Sequence, residues 1–122
     1  MKNLDSFVGL IFEEICSDKL KKLNRKNILP FKAEKIGRWW NGKNEIDIVA
    51  FNKDGKYLFC ECKWSNKKIG ISLLKELKEK AGKFYDAKEK YYGFFSRAGF
   101  KKELKDLSSE AGNILPVSYT HL

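Results

Sequence analysis

Histidine is nearly missing from this chain: one residue in 122, at position 121. Any chemistry must therefore be found without imidazole, and His121 is assigned no catalytic role. Cysteine is scarce and odd in number, three in all, which argues against a disulfide framework. Cys60 and Cys62 stand two apart in an apolar run, where neither spacing nor neighbours make a zinc site, and they read as buried, reduced thiols. No stretch approaches the ~20 apolar residues of a membrane span, and the amino terminus lacks the apolar centre of a signal peptide. The expected protein is soluble and cytoplasmic, with no membrane partner. A phosphate-cradling G-x-x-x-x-G-K-[ST] loop is also absent; Gly42-Lys43 alone cannot hold a nucleotide, so ATP hydrolysis is not assigned to these residues.

At 14.2 kDa the chain can build one modest core and is too short for two ordinary domains. Lys and Arg number 25 against 16 Asp and Glu, a net charge of +9 that favours an anionic partner such as a phosphate backbone. Many basic domains bind no anion, so the placement of the charges has to decide.

Apolar residues Leu4, Phe7, Val8, Ile11, Phe12, Ile15, Leu20 and Leu23 recur every three or four positions, predicting an amphipathic helix over 4–23 packed on one face. Pro30 ends that pattern, an extended segment follows over 32–40, and Asn41, Gly42 and Asn44 supply turn chemistry. Two β-branched and aromatic runs, 46–51 and 57–63, flank Asp54-Gly55 and predict a hairpin. Ser72 is a candidate cap for a second helix over 73–88, with Leu73, Leu74, Leu77, Ala81, Phe84 and Tyr85 on its apolar side. A strand over 91–96, a short helix over 101–107 and a last strand around 114–117 complete the order. The fold class is mixed α/β, a central sheet covered by helices. The lysine-rich stretches 75–90 and 101–105 read as solvated helix faces.

The chemistry concentrates on the hairpin. Side chains alternate along a strand, so Asp47, Val49 and Phe51 share one face, as do Tyr57, Phe59, Glu61 and Lys63. Pairing through the turn brings Asp47 toward Glu61 and Lys63 at one end of the sheet. A salt bridge at a sheet edge is one account of three such charges. Phosphodiester hydrolysis is the other, because it must activate water beside a polyanion and stabilise the charge that develops on the phosphate oxygens. Asp47 and Glu61 offer hard oxygen ligands for Mg2+ or Mn2+, with the Cys62 backbone carbonyl as a third. Lys63 can position or deprotonate the attacking water, or hold a nonbridging oxygen. Glu13 lies beside the helical stripe, one turn after Gly9, where its carboxylate can reach the same site directly or through a metal-bound water; Glu14 reads as a solvated charge.

The segments FVGLIFEE, GRWWNGKNEIDIVAF and YLFCECKWS resemble the carboxy-terminal domain of unknown function found in archaeal-type AAA ATPases, a domain similar to the PD-(D/E)XK, or restriction-endonuclease-like, nucleases. The resemblance runs nearly to the second helix and continues more weakly through YYGFFSRAGF. It implies a helix, a three-stranded meander, a crossover helix and a further strand. It places the helical acid at Glu13, the first-motif acid at Asp47, and the second-motif acid and lysine at Glu61 and Lys63. Ile46 stands where the superfamily's name has proline, a departure that leaves the acid intact.

The resulting expectation is a divalent-metal-dependent domain hydrolysing nucleic-acid phosphodiesters, DNA before RNA. Arg38, Lys67 and Lys68 would track phosphates and Trp40 would stack on a base, although Trp39 and Trp40 also suit a core edge. Arg97 is a further candidate contact. The alternative is a noncatalytic DNA-binding or regulatory domain of an AAA-type ATPase, in the same or another chain, that retains the scaffold alone; homodimerisation stays open in both readings. The expected domain is 1–115. The ending Pro116-Val117-Ser118-Tyr119-Thr120-His121-Leu122 abruptly loses the charge of what precedes it and reads as translated sequencing-adaptor read-through, an unstructured or non-native tail.

Overall fold

The computed structural model describes residues 2–118 and runs α1 (Lys2–Arg25), β1 (Lys35–Trp40), β2 (Glu45–Phe51), β3 (Lys56–Lys63), α2 (Ile71–Ala81), β4 (Glu89–Ser96), α3 (Lys102–Ala111), β5 (Ile114–Ser118). The strands form one five-stranded mixed sheet in the order β1-β2-β3-β4-β5. β1, β2 and β3 are an antiparallel meander, whereas β4 and β5 join in parallel after the crossovers through α2 and α3. The mixed α/β class and the element order agree with the sequence pattern.

Strand alternation divides the core in two. Tyr57, Phe59, Tyr92 and Phe94 meet Leu74, Leu77 and Ala81 of α2 and Leu104 of α3. Leu58, Cys60, Cys62 and Phe95 meet Phe12, Cys16 and Leu20 of α1, together with Leu29, Phe31 and Ala33 of the loop that follows it. The two strands that carry Leu58, Cys60, Phe94 and Phe95 are therefore covered from both sides, which explains why they read as near-continuous apolar runs. Close packing is visible at Gly93, which pairs with Cys60 across the parallel β3–β4 ladder. A Cβ added there would lie 2.8 Å from the Cys60 sulfur.

Asp54-Gly55 turns the β2–β3 hairpin as the sequence indicates. Gly55 has φ +83°, and the Asn52 N–H donates to the Lys56 carbonyl at 3.2 Å. Three other expectations need correction. The second helix stops at Ala81 rather than near 88, and its N-cap is Gly70 without a side-chain cap bond, so Ser72 does not cap it. Beyond Gly82 the chain turns and Phe84 packs on Trp39, Tyr57 and Phe59, while Tyr85 is left 93% exposed. On α1 the buried stripe is narrower than the apolar one: Phe12, Cys16 and Leu20 are covered, but Phe7 and Leu10 are 61% and 52% exposed and Ile11 and Ile15 are also exposed. Finally, the β4–β5 ladder takes in Pro116, Val117 and Ser118 from the segment expected as a tail. Residues 119–122, with His121, lie outside the described residues.

Candidate active site

The site arises where β2 and β3 part. Their ladder runs from Phe51–Tyr57 to Ile48–Cys60 and stops, while β3 continues to Lys63 against β4. On its other side β2 carries a bulge: Gly37 pairs with Val49 but Trp39 pairs with Ile46, so Asp47 and Ile48 together oppose Arg38. An extra residue in one strand interrupts alternation and re-aims the side chains beside it. Ile46 and Val49 consequently both belong to the α2-side core, although strict alternation would separate them, and Ile48 belongs to the α1 side.

Asp47 does not, then, simply share the face of Val49 and Phe51. With Ile48 it lines a recess of about 290 Å³ on the α1 side, together with Leu10, Glu13, Glu14, Ser17, Gly37 and Arg38. Its Oδ2 also accepts the Cys62 N–H at 2.8 Å. The carboxylate thus replaces the backbone acceptor that β2 no longer offers, and it satisfies a donor that would otherwise be buried without a partner. This bond fixes Asp47 against the end of β3.

Among the described residues Glu61 is the most enclosed acid, 4% exposed. From α2, Lys80 Nζ donates to its Oε1 at 3.1 Å. Burial first, then contact with the Asp47 carboxylate, pushes the Glu61 carboxyl up to about 8, against the opposing pull of Lys80. Asp47 and Glu61 therefore form a carboxylate pair that cannot comfortably carry both charges. Burial likewise raises Glu13, with Asp47 the next cause and Arg38 and Lys63 acting against it. Glu13 thus feels the charges of Asp47 and Lys63, yet Glu13 and Glu61 reach Asp47 from different sides of the sheet. Among the described residues, no three His, Cys, Asp or Glu side chains already stand as a ligand set for a metal ion. The donors do suit a hard divalent cation: a buried and a half-buried carboxylate that repel one another, next to the Cys62 backbone.

Lys63 ends β3 exposed. Arg97 follows β4 beside it, its N–H donating to the Lys63 carbonyl at 3.1 Å and its guanidinium lying 4.7 Å from the centre of the Trp64 ring, which in turn packs on Phe12. Lys67 and Lys68 are exposed on the succeeding loop. Arg38 is exposed but bound to Glu45 at 3.0 Å, so a phosphate would have to compete for it. Trp39 is part of the core edge through Phe84, whereas Trp40 is 68% exposed. Cys60 and Cys62 are buried free thiols on the α1 side, opposite the Glu61 face, as expected.

Sequence reasoning missed two features: the bulge at Asp47 and the role of Lys80. Lys80 lies in a lysine-rich stretch that reads as a solvated helix face, and only its position one residue before the buried Ala81 hints that its stem can run inward.

The solved structure of a protein of unknown function, AF1548, resembles this chain in fold, with a TM-score of 0.50 and 20% identity over 90% of this chain and 60% of that one. The uncharacterized protein MJECL04 of Methanocaldococcus jannaschii is 38% identical over 109 residues, 84% of this chain. The chain spans about a quarter of that relative's length, 24%. Among the described residues, no helix is long and apolar enough to cross a membrane. Residues 1–83 match the family model DUF234, and with that match and the archaeal relative the chain belongs to this family, described as archaeal and bacterial proteins of unknown function.

Proposed function

We propose that this chain is a restriction-endonuclease-like domain that hydrolyses nucleic-acid phosphodiester bonds, those of DNA first, with Mg2+ or Mn2+. The observation that carries the reading is the fork between β2 and β3, where Asp47 is fastened to the Cys62 N–H and its carboxylate meets the buried Glu61. A purely structural edge gains little from a second acid set against the buried Glu61, because two carboxylates in contact repel even with Lys80 on one of them. The meander, the crossover through α2 and the parallel β4 also accord with the element order that the superfamily resemblance implies.

In this reading Asp47 and Glu61 hold the cation, the Cys62 carbonyl completes the near ligands and Glu13 contributes from α1, through water. The cation would supply Lewis acidity toward the phosphate and a lowered pKa for bound water. Lys63, at the exposed end of the same strand, orients the attacking water or holds a nonbridging phosphate oxygen. Lys67, Lys68 and Arg38 offer charge to the flanking phosphates, and the exposed Trp40 offers a stacking surface.

One observation favours a second reading, a noncatalytic nucleic-acid-binding or regulatory domain of an AAA-type ATPase. Lys80 already occupies a Glu61 oxygen at 3.1 Å, so the described site is a satisfied contact rather than an open ligand set. Calorimetric titration with Mn2+ separates the two. Wild type should bind one equivalent with an affinity that Asp47→Ala abolishes; absence of saturable binding by wild type supports the noncatalytic reading.

A further inference from the structure

The ammonium on Glu61 has a second place to go. Lys80 lines a cleft of about 410 Å³ between α2 and the β1–β2 turn, whose other walls are Asn44, Glu76, Glu79 and Lys83. Glu76 stands four residues before Lys80 on α2 and is exposed. That is the spacing and order, acid toward the amino end, at which helical side chains pair across one turn. Lys80 thus has the buried Glu61 at 3.1 Å on one side and, on the other, the exposed Glu76 and Glu79 lining the same cleft, of which Glu76 stands at the pairing spacing.

We propose that Lys80 is a resident counter-ion that a divalent cation must displace from Glu61, and that Glu76 receives the displaced ammonium at the mouth of the cleft. The inference rests on the metal-binding reading of Asp47 and Glu61. A divalent cation on Glu61 and the Lys80 ammonium repel one another in a poorly solvated site, and that repulsion favours release of the ammonium from Oε1. The lysine stem, by contrast, has several rotatable bonds and a head that is rehydrated at little cost once it leaves the recess. Lys80 would therefore hold the site in shape before metal arrives and stand as a positive charge lining the cleft afterwards, where it can meet a polyanion. It is a positioning residue for Glu61, not a catalytic one.

Crystals of the full chain grown with and without MnCl2, with the ion located by its anomalous signal, test this directly. The expected result is manganese between Asp47 and Glu61, with Lys80 Nζ withdrawn from Glu61 and within salt-bridge reach of Glu76. Manganese at Asp47 and Glu61 with Lys80 still about 3.1 Å from Glu61 overturns the displacement and leaves the nuclease reading intact. Manganese absent from that pair overturns both. A double-mutant cycle in solution frees the conclusion from the lattice. Glu76→Gln should weaken Mn2+ binding about twofold, the scale of one exposed helical pair, and the effect should vanish in a Lys80→Met background. An equal effect of Glu76→Gln with and without Lys80 overturns the receiving role.

Discussion

Raising the pH of the metal-free protein from 5 to 8.5 should weaken its fold, and Glu61 should account for most of the loss. Its carboxyl is held up to about 8 against an ordinary 4.5, because it is buried and touches Asp47. A carboxyl whose folded-state pKa is raised keeps in the folded state a proton that the unfolded chain releases. Its contribution is therefore complete below about pH 4.5 and is lost progressively as the pH rises to and through 8. Each unit of difference is worth about 1.4 kcal/mol, so the loss is on the order of 3–5 kcal/mol, the lower figure allowing for a proton shared with Asp47. For a domain of this size that lowers the melting midpoint by on the order of 10 °C. Urea denaturation followed by circular dichroism, in buffer containing a chelator, gives the slope. Glu61→Gln cannot ionise and should flatten the profile between pH 5 and 8.5. If wild type is equally stable at both ends, or if Glu61→Gln keeps the wild-type slope, the contact of Asp47 with the buried Glu61 is not a strained element.

Three further outcomes follow from the packing. Gly93→Ala should destabilise the fold by about 1–3 kcal/mol, because the new methyl would press on the Cys60 sulfur at 2.8 Å in a sheet covered on both sides; thermal melting checks it. Cys60 and Cys62 should react with a bulky disulfide reagent only when the protein is unfolded by denaturant, since burial pushes the Cys60 thiol up, while its contact with Cys16 and then burial push the Cys62 thiol up. Phe12→Ala should cost about 3–5 kcal/mol, whereas Phe7→Ala, at an exposed position of the same helix, should cost less than about 1 kcal/mol; denaturation midpoints separate them.

The hairpin, its Gly55 turn and the alternation that sends Cys60 and Cys62 away from Glu61 were legible because they depend on nearest neighbours in sequence. The limits of α2 were not. Phe84 and Tyr85 continue the apolar period beyond Ala81, but Phe84 is drawn into an aromatic cluster with Trp39, Tyr57 and Phe59 after Gly82 ends the helix. On α1, periodicity marked every apolar residue alike, while contact with the sheet selects only Phe12, Cys16 and Leu20. Within the candidate site, residue types and parity single out Asp47, Glu61 and Lys63 as candidates, yet period-two reasoning has no term for the bulge that sets Asp47 beside Glu13. Lys80 comes from 19 residues beyond Glu61 in the chain, so only the packing of α2 on the sheet could reveal the pair.

The central claim is that Asp47 and Glu61 hold a metal while Lys63 acts on water and phosphate. Its most direct test is cleavage of duplex, branched and single-stranded nucleic acid by purified wild type, Asp47→Ala and Lys63→Ala, with Mg2+, with Mn2+ and with chelator, alongside Mn2+ affinity for each protein. Wild type should cut at least one substrate only when metal is present. Asp47→Ala should lose both affinity and cleavage; Lys63→Ala should keep the affinity within a few-fold and lose cleavage by about 100-fold or more. Wild type that binds nucleic acid yet cuts none of the three with either metal would contradict the claim, as would equal residual cleavage by all three proteins.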